Sequence, residues 1–374
     1  MHYREFSPEE LIAVGFDSPE VTDHPWTVRW DRYRGSAAEL VLSALPESVS
    51  FETSGTTGQS QSWSRPRESL WAEVSMLAGL VGPHQPRAAL CSVHPHHLYG
   101  ALSSVLLPAH LGIPAWFRPG FIGEMPPADS ADSWLVTAIP WTFSLLRRNL
   151  PWVRSAGRVT VLHASGMIPD AALEFLDEAG AAQARVVEVF GATESGGVAT
   201  RQWSAGTPPH WSLIDDVSFA DSLRENEGEV SLRVRSPRLA HRPGEPHPES
   251  CLLDDHVERL DERTFRFSGR RTRLVNINGR RLNLDRLEDL LTPIEGCLDL
   301  AVRPVSDPMI GEHIELYLVL DKGIALGDLD LAAAFARIGI RPRRICSVDE
   351  IDRTEIGKFR RIHQTVTTDQ GVSS

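Results

Sequence analysis

Residues 53–58 read Thr-Ser-Gly-Thr-Thr-Gly and directly follow a short alternating segment at 49–51. Glycine lets the backbone approach phosphoryl oxygens and adopt positive φ, while hydroxyls and successive N–H groups supply donors around a concave anion site. An ordinary turn, whose hydroxyls bond their own backbone, is the alternative. The pattern therefore indicates a polyphosphate site made by Thr53, Ser54, Gly55, Thr56, Thr57 and Gly58.

Three further segments follow this loop in a fixed order. Residues 190–194, Phe-Gly-Ala-Thr-Glu, come after the strand-like run 185–189; Gly269-Arg270 opens a basic stretch; and 353–358, Arg-Thr-Glu-Ile-Gly-Lys, lies near the C-terminus. Together with 53–58 they resemble the adenylate-forming superfamily, which includes acyl-CoA synthetases, nonribosomal-peptide adenylation domains and luciferases. The resemblance spans 53 to about 361, and the short stretch before residue 53 resembles that of compact, N-terminally shortened members.

The order of apolar patterns predicts an α/β fold. Strand-like runs at 88–93, 134–139, 158–162 and 185–190 alternate with helical runs at 99–111, 141–150 and 171–179, as in a largely parallel sheet. A β-rich annex follows at 204–248. A compact α+β pattern then begins, with helices at 284–291 and 329–338. We predict a large N-terminal α/β domain at 1–269 and a small mobile α+β C-terminal domain at 270–374.

Ligands of parallel sheets bind at the carboxyl ends of the strands. We therefore place both the 53–58 loop and the Thr193-Glu194 pair at that edge of the predicted sheet. The adenylate-forming resemblance implies the same location for its nucleotide.

Composition narrows the classes of partner. The chain has 374 residues and a formal charge of -12, which argues against general affinity for nucleic acid or for an anionic membrane. Its four cysteines contain no Cys-x-x-Cys pair, which is consistent with the reducing cytoplasm. The sequence contains no run of about 18 apolar residues, the length that predicts a membrane-spanning helix.

Lysine is rare in this chain. Of 38 Lys and Arg residues only two are lysine, Lys322 and Lys358. A compact ammonium on a flexible stem is not interchangeable with a guanidinium, so a retained lysine can mark a site that needs one. We favour that interpretation for Lys358, inside a Gly-Lys pair, and a surface turn for Lys322.

The resemblance implies ATP and Mg²⁺ as cofactors and assigns roles to matching residues. Glu194 matches the magnesium contact, and Thr193 beside it would reach the α-phosphate. Asp255 matches the acid that accepts hydrogen bonds from the ribose hydroxyls, and Arg270 the ribose and phosphate contact at the hinge. Lys358 would enter from the small domain and bridge the substrate carboxylate and the α-phosphate. The alternatives are a solvated acid at a helix start for Glu194 and a hairpin turn residue for Asp255.

Other positions match residues around the acyl site and the thiol. His97, Trp141, Ala164, Gly166, Gly191 and Gly196 match positions that border the acyl site in relatives, and Gly191 is also predicted to bind the nucleotide. Asn278 and Gly279 would line the thiol-entry face. A metal site at His94, His96 and His97 is the weaker alternative to a pocket wall, because no further ligand follows closely in sequence.

The function predicted is ATP-dependent adenylation of a carboxylic acid, with an aromatic or other small acid favoured, followed by transfer to a thiol. Coenzyme A and a carrier protein's phosphopantetheine arm both stay open as acceptors, as does a homodimer. Gln61 stands where relatives have lysine, so ATP binding would depend on other cations such as Arg65 or Arg67. A non-catalytic nucleotide- or acyl-binding protein and an adenylating enzyme without a CoA step are the alternatives.

Overall fold

The computed structural model describes most of the chain. The described residues are 3–54, 60–119, 124–164, 168–222, 228–270, 273–277, 280–292, 294–307, 311–353, 359–363 and 367–368. They divide into two compact units, Met1–Leu253 with Glu258–Arg266 and Asp254–Val257 with Phe267–Ser374. The mixed α/β class is confirmed, whereas a functional division at 269/270 stays a prediction.

A sheet of thirteen strands lies mainly in the large unit. Its strands, in chain order, are β1 Arg4–Phe6, β2 Trp26–Arg29, β5 Ala88–Cys91, β6 Pro114–Phe117, β7 Ser133–Ala138, β8 Arg158–His163, β9 Ala184–Ala192, β10 Gly196–Trp203, β11 Trp211–Leu213, β12 Ser218–Phe219, β13 Glu229–Arg235, β14 Cys251–Arg259 and β15 Thr264–Arg270. The spatial order is β1-β2-β6-β5-β7-β8-β9-β10-β11-β15-β14-β13-β12. Strands β6, β5, β7, β8 and β9 run parallel. Strands β11, β12 and β13 fall in the β-rich annex predicted at 204–248, and β10, β14 and β15 lie outside those bounds.

Helices cover the parallel strands. They are α1 Pro8–Val14, α2 Pro19–Thr22, α3 Ala37–Ala44, α4 Arg67–Val81, α5 Leu98–Gly100, α6 Leu107–Leu111, α7 Pro140–Arg148, α8 Leu150–Ser155 and α9 Asp170–Ala179, with a π-helical stretch Ala101–Leu106 between α5 and α6. Strands β5 and β7 are buried at every residue, as expected for strands covered on both faces. One core cluster packs α7 and α9 on this sheet through Phe143, Phe175 and Trp134.

The 53–58 loop does not follow a strand of the parallel sheet. Strand β3 Ser48–Ser54 pairs antiparallel with β4 Ser60–Pro66 in a separate two-stranded hairpin. The strand before the loop is therefore not part of the parallel sheet, while residues 55–58 lie outside the described residues and the loop's position at the sheet edge stays a prediction. The alternating pattern at 49–51 identified a strand but carried no information about its partner, because register and partner are set by non-local packing.

The small unit has its own core. Its further elements are β16 Leu274–Ile277, β17 Arg280–Asn283, α10 Leu284–Leu291, β18 Cys297–Asp307, β19 Gly311–Leu320, α11 Leu331–Ile338, β20 Arg344–Ser347, β21 Glu350–Arg353, β22 Phe359–His363 and β23 Thr367–Thr368. Leu287 and Leu291 of α10 pack with Leu316 of β19 and Ile338 of α11. Within the described ranges, the helices are all too short or too polar to cross a membrane.

Candidate active site

The Thr193-Glu194 pair lies where β9 ends, at the carboxyl edge of the parallel strands. Residues 193–195 form the tight connection between β9 and β10, so Glu194 is not the first-turn acid of a helix. The main-chain N–H of Ala240 donates to the carbonyl of Glu194 at 2.9 Å. Glu194 as a residue is half-buried at this edge, and its carboxylate is a hard oxygen ligand.

Two glycines make this connection tight. A Cβ on Gly191 would lie 2.1 Å from the carbonyl oxygen of Gly196 across the hairpin. Gly196 has a φ of 68°, which favours glycine. A Cβ there would lie 2.5 Å from a carboxylate oxygen of Glu73. Both glycines are therefore needed for the backbone geometry of the turn; their predicted nucleotide and acyl contacts stay predictions.

Arg65 is a buried structural cation. Its side chain is 0% exposed, and its guanidinium donates to the carbonyl of Thr193 at 2.9 Å and to Glu73 at 2.6 Å. Burial lowers its pKa from the usual value. The expectation that Arg65 serves as a replacement cation near the glycine-rich loop was wrong, because the side chain points into the interior. Arg67 donates to the carbonyl of Leu45 and to Glu68.

The carboxylate of Glu73 joins Arg65 to a second buried arginine. Glu73 accepts the N–H of Gly197 at 2.7 Å and lies 3.6 Å from a guanidinium nitrogen of Arg238. Arg238 donates to both carboxylate oxygens of Asp216, at 2.7 and 2.8 Å. Hydrogen bonding with Arg238 lowers the pKa of Asp216.

Asp255 is an inward-facing residue in the middle of β14. Burial alternates along that strand, and Asp255 shares the buried positions with Leu253 and Val257. Only 7% of Asp255 is exposed, so it is not a solvated turn residue. A carboxylate at an otherwise apolar strand position is costly unless it has a binding role or a partner, which keeps it a candidate for the ribose contact.

Three predicted acyl-site residues gather at the same sheet edge. Burial raises the pKa of Tyr99, so its hydroxyl stays protonated and donates to the carbonyl of Leu162, near the end of β8, at 2.6 Å. His97 lies in the segment that follows β5, and Ala164 directly follows β8, two strands away in the sheet. Trp141, 48% exposed, lies in the first turn of α7 just beyond β7. His97, Ala164 and Trp141 thus follow or face neighbouring strand ends.

The histidine group has the geometry of packed rings. The ring centroids of His96 and His97 are 4.1 Å apart, and those of His94 and His96 are 5.6 Å apart. In the part of the chain that the structure describes, no three His, Cys, Asp or Glu side chains are arranged to hold a metal ion.

Arg273 is engaged inside the small unit. It pairs with Asp285 at 2.8 Å and with Glu288 at 2.7 Å on α10, and it donates to the carbonyl of Val302. Burial raises the pKa of Glu288, and Arg273 counters that shift. Arg273 is therefore engaged in ion pairs and a main-chain hydrogen bond within the small unit.

Several predicted residues lie outside the described part. These are Gly55, Thr56, Thr57, Gly58, Gly166, Asn278, Gly279 and Lys358, together with the side chains of Ser54 and Arg270. Thr53 is described at the end of β3, where its hydroxyl donates to the carbonyl of Gln61 at 3.3 Å. Roles of all these residues stay predictions.

Sequence reasoning missed the buried charges that support the turn. A signal was present in α4, where Glu73 falls within an apolar stripe formed by Leu70, Val74 and Leu77. A charge at such a position is rarely solvated, so it predicts a buried partner. The stripe does not say which arginine that partner is.

Comparison with known proteins gives the chain its relatives. No model of a known protein family matches it. It is 29% identical over 259 residues to the 4-coumarate–CoA ligase of Halorhodospira halophila, covering 66% of this chain and 57% of that protein. A second 4-coumarate–CoA ligase, from Cereibacter sphaeroides, is 25% identical over 319 residues, covering 83% of this chain and 69% of that protein.

The fold has a solved counterpart. The ATP-bound crystal structure of MatB from Rhodopseudomonas palustris matches with a TM-score of 0.63 at 15% identity, covering 83% of this chain and 66% of that one. By sequence the chain is similar to these two 4-coumarate–CoA ligases, and by fold it is similar to MatB. It spans 57% of the length of the H. halophila relative, so it is similar to part of that protein.

Proposed function

We propose that this chain activates a carboxylic acid as an acyl-adenylate and transfers the acyl group to a thiol. The observation that carries the proposal is the Thr193-Glu194 turn, which places the half-buried Glu194 at the carboxyl edge of the parallel strands. His97, Ala164 and Trp141 lie at the neighbouring strand ends, where an acid could meet a nucleotide. Relatives named 4-coumarate–CoA ligase support the same reaction class.

The first step joins the acid to AMP. A carboxylate oxygen attacks the α-phosphorus of ATP, the bond from that phosphorus to the α,β-bridging oxygen breaks, and pyrophosphate leaves. This reaction needs positioning and charge neutralisation more than covalent help from the protein. Thr193 would contact the α-phosphate, Asp255 would accept hydrogen bonds from the ribose, and Lys358 would stabilise charge between the acid and phosphorus.

The second step transfers the acyl group. The thiol sulfur attacks the acyl carbon, its proton is released, and the bond to AMP breaks. Coenzyme A and a carrier-bound phosphopantetheine present the same sulfur chemistry, and Asn278 and Gly279 would line its entry. The small C-terminal domain acts as the mobile lid that carries Lys358.

Glu194 fits a magnesium site. Mg²⁺ is usually held by one or two carboxylates together with phosphate oxygens, and Glu194 offers one such ligand. When bound, the ion supplies neutralisation of the triphosphate charge. The buried Arg65 behind the turn interacts electrostatically with Glu194 and keeps a positive charge near its carboxylate.

The substrate would be an aromatic or other small acid, and the enzyme would act in the cytoplasm, where ATP and coenzyme A are supplied. The relatives' name and the aromatic Trp141 at the edge support this class. A homodimer remains part of the proposal. A non-catalytic nucleotide-binding protein is the second candidate, favoured by Gln61 and by the inward position of Arg65.

Exchange of labelled pyrophosphate into ATP, screened over aromatic, short-chain and long-chain acids, separates the two candidates. We expect acid-dependent exchange with at least one aromatic or small acid, followed by thioester formation when coenzyme A or a carrier is added. Exchange with none would favour the binding protein, and turnover of long-chain acids alone would contradict the substrate class. Acyl-AMP that accumulates with both thiols present would indicate an enzyme without the transfer step.

The two lysines provide a matched pair of variants. Lys358→Ala should slow exchange by about 10²–10³-fold, the usual loss when a preorganised donor to a developing charge is removed. Lys322→Ala is the control, because Lys322 is exposed in a turn after β19. Equal rates for both variants would refute the role of Lys358.

A further inference from the structure

Three buried charged side chains surround the turn that carries the candidate catalytic pair. Arg65 on β4, Glu73 on α4 and Arg238 after β13 have side chains that are 0%, 4% and 2% exposed. We call these three residues the brace. Only Asp216, which pairs with Arg238 from the outside, is substantially exposed at 38%.

The brace binds main-chain groups at both ends of residues 193–197. Arg65 donates to the carbonyl of Thr193 at 2.9 Å, while Glu73 accepts the N–H of Gly197 at 2.7 Å. Arg238 donates to the carbonyl of Gly197 at 2.8 Å. Every member of the brace therefore has a direct hydrogen bond to the turn.

The members are also bonded to one another. Arg65 donates to Glu73 and to the main-chain carbonyl of Arg238, each at 2.6 Å. Gly196 lies against both side chains: a Cβ at this position would be 2.5 Å from Glu73 and 2.9 Å from Arg65. The turn and the brace therefore occupy adjoining space with no room for a side chain between them.

Stability alone does not account for this arrangement. Apolar residues of similar size are often as stabilising as a buried ion pair, because desolvation offsets most of the Coulomb attraction. Directional hydrogen bonds, in contrast, fix the position of the groups they join. A turn held at both ends by charged donors and acceptors has little freedom to shift.

We propose that Arg65, Glu73 and Arg238 are positioning residues that fix Thr193 and Glu194 for contact with the α-phosphate and its magnesium ion. The inference rests on the proposed function. It also assigns Arg65 a task other than direct phosphate neutralisation: it connects β4, the strand that leaves the glycine-rich segment, to the Thr193-Glu194 turn.

The test removes one positive and one negative member together. Arg65→Met with Glu73→Met keeps the net charge and leaves the Arg238–Asp216 pair in place. The matched control is Arg147→Met with Glu178→Met, which removes a partly exposed pair on α7 and α9 whose nitrogen and oxygen lie 2.6 Å apart.

Two measurements separate positioning from general stability. We expect the brace variant to require about tenfold more Mg²⁺ for half-maximal pyrophosphate exchange, because one misplaced charged hydrogen-bonding group typically costs that much. Hydrogen exchange at the amides of 193–197 should become at least about tenfold faster on the same grounds. The control variant should leave both quantities unchanged.

Conservative variants keep the test decisive if the double variant does not fold. Arg65→Lys and Glu73→Gln each retain some hydrogen bonds to the turn, so their Mg²⁺ requirements should lie between wild type and the double variant. Unchanged Mg²⁺ dependence and unchanged amide exchange, in the double variant or in both conservative variants, would overturn the inference. If wild type shows no exchange with any acid, the proposed function fails, while amide exchange at 193–197 still tests the brace.

Discussion

Replacing Glu188 with leucine should destabilise the large unit substantially. Glu188 lies on β9 with its side chain 2% exposed, directly across the hairpin from Arg201 on β10. Its carboxylate accepts two hydrogen bonds from Arg201, at 2.7 and 3.0 Å, and one from the indole N–H of Trp203 at 2.9 Å. The substitution removes the acceptor for all three donors at once.

The magnitude follows from what remains after the substitution. Removing one partner of a buried pair typically costs about 3–5 kcal/mol, because the other charge is left buried. Arg201 keeps 16% of its side chain exposed and lies 4.3 Å over the ring of Trp211, so it can partly turn to water. We therefore expect the lower part of that range, about 3–4 kcal/mol, with the indole of Trp203 contributing about 1–3 kcal/mol of it.

Urea unfolding followed by tryptophan fluorescence measures this loss in the free energy of unfolding. Adding Arg201→Met to the Glu188 variant should recover part of the stability, since it removes the uncompensated charge. Glu258→Leu is a control for an exposed pair, because Glu258 and Arg266 are about half-exposed, and it should cost below about 1 kcal/mol. A Glu188 variant as stable as this control would refute the reasoning.

The remaining predictions concern the turn and its outer carboxylate. Gly196→Ala should lower the free energy of unfolding more than Gly206→Ala. Both glycines have a φ of 68°, which costs alanine about 1–2 kcal/mol of backbone strain. Of these two glycines, Gly196 is the one whose new Cβ would clash with Glu73 and Arg65. Equal melting temperatures for the two variants would show that the close approach is unimportant. Because Arg238 lowers the pKa of Asp216, this carboxylate contributes stability that is present above its unfolded pKa of about 3.9 and is lost as pH falls through the lower folded value. Asp216→Asn should flatten that part of the acid-unfolding profile, and an unchanged profile measured by circular dichroism from pH 5 to 2 would contradict the assignment.

The sequence predicted the bounds of a helix correctly where the residues that begin and end the helix lie within or beside it. The helix expected at 284–291 is α10, Leu284–Leu291, because Asn283 caps its start by accepting the N–H of Asp285 and three leucines face the core. The helix expected at 141–150 is α7, Pro140–Arg148, which ends earlier than expected, and a second helix, α8, begins at Leu150 after Asn149. The side chain of Asn149 donates to the carbonyl of Leu145 and helps end α7. Such a side-chain bond competes with the helical hydrogen bonds of the main chain, and the spacing of apolar residues does not reveal it.

The candidate site shows the same limit more sharply at Arg65. From sequence, an arginine close after a glycine-rich loop indicates a solvent-facing cation for phosphate, and nothing nearby contradicts that interpretation. The inward position of Arg65 depends on Glu73, which lies on the next helix, α4, and on the carbonyl of Arg238, which lies 173 residues further along the chain. Neither partner can be identified until the sheet brings β9, α4 and the segment after β13 together. Motif residues such as Glu194 are recognisable because their chemistry faces the ligand, whereas the residues that position them are defined by contacts that only the folded chain creates.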